Sequence, residues 1–342
     1  MLLRDLTTLR LGGPAASYVE AATEAELVAA VTGADASGTP VLLVAGGSNL
    51  VVADEGFPGL VIKIATRDIQ AVPVDGGVEV TVAAGEGWDD FVALAVAEGW
   101  VGIEALSGIP GAVGSTPIQN VGAYGQEVSE TIARVRVWDR VLRGERTFTG
   151  AECSFGYRHS RFKADPDRHV VLNVTFRLEV GTEGAPVKYA ELARTLGVEP
   201  GERAPLAAVR TTVLALRAGK GMVLDAADHD TWSAGSFFTN PFLTPEQAES
   251  LPEGAPRFPQ ADGTVKSSAA WLIDHAGFGK GYGADRRGGR ATLSTKHTLA
   301  LTNRGAATTA DLLDLAREVR DGVEAKFGVR LVNEPVCVGC AL

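Results

Sequence analysis

Val41-Leu42-Leu43-Val44-Ala45-Gly46-Gly47-Ser48-Asn49-Leu50 joins a short, unbroken apolar run to a glycine pair and two small polar residues. A continuous apolar run of this length, closed by a turn signal, predicts a buried strand. It stops abruptly at Gly46 and Gly47, where a missing Cβ lets the backbone come close to a partner. Free N–H groups there, with the Ser48 hydroxyl and the Asn49 amide, would form an uncharged nest suited to a pyrophosphate. Upstream, Thr23 and Glu26 have capping-box spacing before Leu27, Val28 and Val31, which predicts a helix. Downstream, residues 60–64 predict a second buried strand, so the start of the chain reads as an α/β unit.

A second glycine-rich stretch, residues 108–125, carries Gly108, Gly111, Gly114, Gly122 and Gly125 with Pro110 and Pro117. It also keeps Ile109, Val113, Ile118 and Val121, which a solvated linker would not, so it is expected to lie buried against something flat and large. Each loop taken alone reads first as a structural turn. The two in one chain favour a bound dinucleotide.

Beyond residue 67 the pattern changes to strands, at 78–82, 135–138 and 170–178, with a helix over about 89–97 between them. Residues 181–230 read as a helical arm or a boundary. Two more helices are expected, near 268–275 and 310–327. In the latter, Leu312, Leu315, Val319, Val323 and Phe327 recur at helical spacing, and Gly328 is placed to stop it.

The 342 residues carry a net charge of −10, which disfavours nucleic acid or an anionic membrane surface as the main partner. No apolar run approaches the ~18 residues needed to span a bilayer. The first residues, Met1 to Leu6, place charges where a signal peptide needs its apolar stretch. Three cysteines, Cys153, Cys337 and Cys340, point to a reducing cytoplasm and to incidental thiols. No P-loop motif occurs. Gly279-Lys280-Gly281-Tyr282-Gly283-Ala284 formally fits a dinucleotide fingerprint, but it follows a helix-like stretch, so it reads as a glycine loop.

Six motifs then occur in order: Thr8 to Ala15, the Gly46 loop, the Gly108–Gly125 loop, Phe155-Gly156-Tyr157-Arg158-His159-Ser160, Ala234-Gly235-Ser236-Phe237-Phe238-Thr239-Asn240-Pro241 and Leu331-Val332-Asn333-Glu334. Over about residues 7–339 the chain resembles the UDP-N-acetylenolpyruvoylglucosamine reductase family of peptidoglycan precursor synthesis. The resemblance implies an α+β architecture. It comprises an FAD-binding fold of the p-cresol methylhydroxylase and vanillyl-alcohol oxidase type, in two subdomains, and a C-terminal α+β substrate domain. The expected boundaries are 1–66 (with 330–342 returning to it), 67–218 and 219–329. The implied cofactor is non-covalent FAD, with NADPH as reductant and the enolpyruvyl ether of UDP-N-acetylglucosamine as substrate. A monomer is compatible with the sequence, which does not set the oligomeric state.

The substrate's double bond is conjugated with a carboxylate, so hydride addition at its terminal carbon puts negative charge on the carbon bearing that carboxylate. The chemistry calls for a cation or donors to hold the charge and an acid to quench it. By resemblance, Arg158 pairs with the carboxylate, Ser236 donates the proton, and Glu334 orients a water or the ether carbon or shares the proton. Pro335 after Glu334 departs from the usual aliphatic residue. FAD would be held by Gly46, Gly47, Ser48, Asn49, Leu50, Gly111, Ser115, Thr116, Ile118, Asn120 and Gly122. The sugar nucleotide would meet Tyr124, Tyr157, Tyr189, Lys220, Asn240 and His297. Lys220 competes with a plain charged arm, because the stretch from Met222 to Trp232 is longer than the family norm. No metal is expected. The rival readings are another oxidase or dehydrogenase of the same flavin fold, and a non-catalytic sensor of flavin or nucleotide sugar.

Overall fold

Alternation of valines along Gly77–Ala83 and His169–Val180 builds the largest sheet of the computed structural model, which describes residues 1–342 except the side chain of Arg287. The two strands run antiparallel, with Val174 opposite Val82, Phe176 opposite Val80 and Leu178 opposite Val78. All six side chains are buried, so the period of two places one complete face in the core. Ile132–Asp139 and Gly144–Thr149 extend the sheet on one side and Ile69–Val74 on the other, while Trp100–Val101 pairs with the end of His169–Val180. The helix Trp88–Ala97 packs on this face. Its Trp88 and Phe91 stand 5.9 and 5.2 Å from Phe176, ring centre to ring centre.

Val41–Val44 and Phe57–Ile64 pair in parallel, and Ala15–Ala21 completes a three-stranded sheet. The helix Glu24–Ser37 starts at the expected capping box, with Thr23 and Glu26 bonding reciprocally, and ends at Gly38 in the left-handed conformation. Leu27 and Val31 from this helix join Ile62, Phe91 and Phe176 in one core.

The chain folds into two compact units, one of residues 16–46 and 58–218, the other of residues 1–15, 47–57 and 219–342. This division cuts differently from the three segments expected from sequence. Residues 1–66 are shared between the units rather than standing as one piece.

In the second unit the helix Thr309–Phe327 buries Leu312, Leu315, Val319 and Val323 against Phe237, Phe238, Leu272 and Leu301. Its first turn is held by a Thr308–Asp311 capping box and by Asp54, whose carboxylate accepts the N–H groups of Thr309 at 2.8 Å and Ala310 at 3.1 Å. Gly328 closes it in the left-handed conformation. Val336–Val338 runs parallel to Leu50–Val52. Ala291–Leu293 and Leu301–Asn303 form an antiparallel pair that carries the loop of residues 294–300.

Among the described residues, no helix is long and apolar enough to cross a membrane. No three His, Cys, Asp or Glu among them gather as a metal site.

Candidate active site

In the first unit the two glycine loops meet. A Cβ added to Gly46 would fall 2.3 Å from Gly111 Cα, so these backbones approach as only glycine permits. The stretch after Gly111 is an ordered wall. Val113 N–H donates to Glu86 and Gly114 N–H to Ala84, both at 2.9 Å, and Gly114 lies against Ala84 with no room for a side chain. Val113 enters the protein core and Ile109 and Val121 pack on it, so much of the apolar interleaving serves the fold itself. Ile118 stays exposed, an apolar side chain that the core does not use.

The Ser115 and Thr116 hydroxyls donate to the carbonyls of Ala112 and Val113 at 2.6 and 2.8 Å. Asn120 is buried, and its amide nitrogen donates to Glu127 at 2.7 Å and to the Gly156 carbonyl at 3.1 Å. Its side-chain oxygen takes the Ser129 N–H at 3.1 Å. The Asn120 side chain thus braces the loop from within.

Arg158 sits on a two-residue turn closed by reciprocal backbone bonds between Gly156 and His159, at 3.0 and 3.1 Å. Its φ is +51°, a conformation that costs an ordinary side chain about 1–2 kcal/mol. Among the described residues, six that are not glycine adopt such a φ: Arg10, Asn120, Tyr124, Arg143, Ser154 and Arg158. Three of the six are candidate site residues, which marks strain concentrated where function is expected. The Arg158 guanidinium donates to the carbonyls of Asn120 at 3.3 Å and Gly122 at 2.8 Å, so the loop bearing the cofactor candidates also aims the arginine. It stacks near Tyr157, 5.3 Å from the ring centre, and Lys163 holds its carbonyl at 3.0 Å. Tyr124 and Tyr189, 65 positions apart, meet edge to face at 5.4 Å, with Tyr189 exposed.

In the second unit the backbone pairs Glu334 with Phe237, the residue that follows Ser236. Glu334 N–H donates to the Phe237 carbonyl at 2.8 Å, and Phe238 bridges Asn333. The fully buried rings of Phe237 and Phe238 fix this strip, leaving Ser236 and Glu334 half-buried at its edge. The Gly47–Leu50 segment joins them. The Asn49 carbonyl accepts Val336 N–H at 2.9 Å, the Asn49 amide reaches the Glu334 carbonyl at 3.5 Å, and Leu50 pairs with Val336. Gly47 passes so close to Leu6 that a Cβ would meet its carbonyl oxygen at 1.8 Å. Ser48, half-buried, lies between Gly47 and Asn49.

Asn240 accepts the Ala269 N–H at 3.0 Å and so caps the helix Ala269–His275. His297 lies on the 294–300 loop, half-buried, its N–H donating to the Ser294 hydroxyl at 3.3 Å. Lys220 follows the helix Leu206–Gly219 directly and is half-buried. Cys337 and Cys340 are free thiols in mutual hydrogen-bonding reach. Burial pushes the Cys337 thiol up to about 11 and raises Cys340 as well.

One group was not legible in the sequence. Asp228 and Asp230, inside the 222–232 stretch, bind Lys296 and Thr295 next to His297. The unusual length of that stretch was the available signal, but its partners lie 65 or more residues away.

A family model described as the C-terminal domain of UDP-N-acetylenolpyruvoylglucosamine reductase matches residues 227–338, and a model of an FAD-binding domain matches residues 15–145. The chain is 60% identical to a UDP-N-acetylenolpyruvoylglucosamine reductase of Cutibacterium acnes, over 99% of this chain and 90% of that protein. It is 59% identical to the protein of the same name from Streptomyces avermitilis, over 99% and 94%. Among solved structures, the UDP-N-acetylenolpyruvylglucosamine reductase of Thermus caldophilus superimposes with a TM-score of 0.67 at 26% identity, covering 99% of this chain and 97% of that one.

Proposed function

The chain belongs to the UDP-N-acetylenolpyruvoylglucosamine reductase family, and from that premise we propose how its own residues share out the reaction. It is an FAD-containing oxidoreductase that uses NADPH to reduce UDP-N-acetylglucosamine enolpyruvate to UDP-N-acetylmuramate, a step of peptidoglycan precursor synthesis. FAD held by this chain would supply the hydride relay between NADPH and the terminal carbon of the enolpyruvyl group.

The glycine-only approach of Gly46 to Gly111 suits a diphosphate-bearing ligand, because backbone there is left bare of side chains. We assign the FAD diphosphate to the Gly46, Gly47, Ser48, Asn49 and Leu50 segment. We assign Gly111, Ser115, Thr116, Ile118, Asn120 and Gly122 to FAD as well, with Ile118 supplying apolar contact and Asn120 holding the shape of its loop. No histidine precedes His159, which favours non-covalent flavin.

Arg158 takes the substrate carboxylate and stabilises the charge that grows beside it. The two carbonyls that bind its guanidinium orient it before substrate arrives, and preorganisation of this kind is what electrostatic catalysis requires. Ser236 donates the proton to the carbon bearing that carboxylate. A hydroxyl is a weak acid, and Glu334 compensates by sharing the proton or ordering a water. The single observation that carries this pairing is the bond from Glu334 N–H to the Phe237 carbonyl at 2.8 Å, which sets the carboxylate's residue one strand-step from Ser236. We assign Tyr124, Tyr157 and Tyr189 of the first unit and Lys220, Asn240 and His297 of the second to the UDP-sugar.

The three free cysteines fit a cytoplasmic protein. By this reading residues 1–66 and 67–218 serve FAD and 219–329 serve the nucleotide sugar.

Purified protein should be yellow, release FAD on acid or heat treatment, and oxidise NADPH only when the enolpyruvyl sugar is present. NADPH oxidation indifferent to that sugar would favour another oxidase of this flavin fold. Flavin without turnover would favour a sensor.

A further inference from the structure

The 222–232 stretch is folded tightly onto the loop that carries His297. Within the stretch, the Thr231 hydroxyl faces the carbonyls of Asp225 and Asp228 at 2.7 and 2.8 Å, and Asp228 accepts the Asp230 N–H at 2.9 Å. This short scaffold presents the Asp230 carboxylate, itself buried, to donors from two consecutive loop residues, Ser294 and Thr295, and from Arg304 beyond the loop. Thr295 gives its N–H to one oxygen at 2.8 Å and its hydroxyl to the other at 2.6 Å. Ser294 bonds the same carboxylate through its side chain, and Arg304 adds a charged bond at 3.0 Å. The neighbouring Lys296 is held by Asp228 at 2.6 Å. Ser294 in turn accepts the N–H groups of Lys296 at 3.0 Å and His297 at 3.3 Å. On the far side the His297 carbonyl accepts Ala300 N–H at 3.2 Å.

A buried carboxylate with this many donors is costly to disturb, because removing its charge strands several of them. The bonds of Thr295 and Lys296, and the Ser294 hydroxyl that takes the Lys296 and His297 N–H groups, therefore lead back to Asp230 or Asp228, while the Ser294 N–H and carbonyl are held by Ala300 at 2.8 Å and Gly281 at 3.1 Å. The far end of the stretch is tied down as well: the Trp232 carbonyl takes Asn303 N–H at 3.0 Å, and Arg10 lies over the Trp232 ring at 4.1 Å.

We propose that Asp230 is a positioning residue for the nucleotide sugar, fixing the 294–300 loop so that His297 is preset for the UDP-sugar. The inference rests on the reading of His297 as a UDP-sugar contact. Asp230 touches neither substrate nor flavin; it lowers the ordering cost that the loop would otherwise incur on binding.

The test uses the flavin-loaded enzyme with Asp230→Asn, Thr295→Val, Thr295→Ser and His297→Ala, and the double variant of Asp230→Asn with His297→Ala. The readouts are KM for the enolpyruvyl sugar, calorimetric affinity for the product UDP-N-acetylmuramate, and the rate of flavin reduction by NADPH without sugar. Asp230→Asn should raise KM and weaken product binding by about 5- to 20-fold, below the roughly 10- to 150-fold of a charge-assisted bond lost outright, because only part of that loss reaches the sugar through the loop. NADPH reduction should stay within about twofold, since a positioning effect reaches only the sugar. Thr295→Val should follow it and Thr295→Ser should restore binding, which guards against Asp230→Asn merely failing to fold. In the double variant the Asp230→Asn penalty should largely vanish, because the two residues act as one unit. If the penalties multiply in full, or NADPH reduction falls in step with sugar affinity, Asp230 acts on the fold at large and the proposal is overturned while His297 keeps its role. If His297→Ala alone leaves KM and product affinity unchanged, the UDP-sugar reading of His297 fails, and the proposal fails with it.

Discussion

Replacing Gly46 with alanine should loosen the flavin seat without touching any side chain proposed to do chemistry. The added Cβ would sit 2.3 Å from Gly111 Cα, 2.8 Å from its carbonyl carbon and 3.2 Å from Ala112 N. Ordinary carbon contacts lie near about 3.5–4.0 Å, so the two loops must part by roughly 1 Å or more. Neither neighbour is the yielding tip of a side chain. The Gly111 carbonyl is held by Trp88 N–H at 3.1 Å, and Val113 and Gly114 are pinned to Glu86 and Ala84. Relief must therefore come from backbone, and overpacking of this kind costs about 1–3 kcal/mol. At 1.4 kcal/mol per factor of ten, FAD affinity should fall by about 5- to 150-fold. Gly33→Ala is the control. It lies on the exposed face of the helix Glu24–Ser37 with nothing within 4 Å of an added Cβ. There alanine should stabilise by about 0.5–1 kcal/mol. Flavin content per polypeptide, FAD titration of the apoprotein and thermal unfolding would report all three. A Gly46→Ala protein with native flavin affinity and unchanged Tm would refute the argument, as would equal damage from Gly33→Ala.

Ser236→Ala should leave anaerobic flavin reduction by NADPH nearly intact, while reoxidation by the enolpyruvyl sugar slows by ~10²–10⁴, the usual range for a positioned acid. Stopped-flow flavin absorbance separates the two, and equal slowing of both would withdraw the proton-donor role. Arg158→Ala should lower kcat by ~10²–10³ with a smaller change in KM, because the charge it meets grows in the transition state. A change confined to KM would make it a plain binding residue. Asp139, to which no part in the chemistry is assigned, supplies a pH test. Burial pushes its carboxyl up, but Arg168 and the N–H groups of Leu142 and Val141 outweigh this and hold it down at about 2. A depressed carboxyl contributes stability that is present above its unfolded value near 3.8 and lost as pH falls towards about 2. Asp139→Asn should thus unfold in less urea than the parent near pH 6, with the gap narrowing near pH 3; equal gaps at both would refute it.

Local order was legible because near neighbours set it. The Thr23–Glu26 box closes within four residues, and the Val41–Val44 run, the valines of Gly77–Ala83 and the apolar stripe of Thr309–Phe327 each display their pattern within one element, so spacing alone identifies them. The six motifs identified the family for a related reason, since their residue types answer to a ligand and a reaction rather than to the rest of the chain. What only the tertiary structure decided are the pairings across long stretches of sequence. These include Gly46 against Gly111, Tyr124 against Tyr189, Glu334 against Phe237, and Asp230 against Thr295. Each joins residues with no periodic relation, through contacts that exist only once the topology has closed the intervening loop. The same holds for Asn120, whose amide reads as a ligand donor in sequence but is spent on Glu127 and Gly156, because a buried polar group takes whatever partner the fold brings to it.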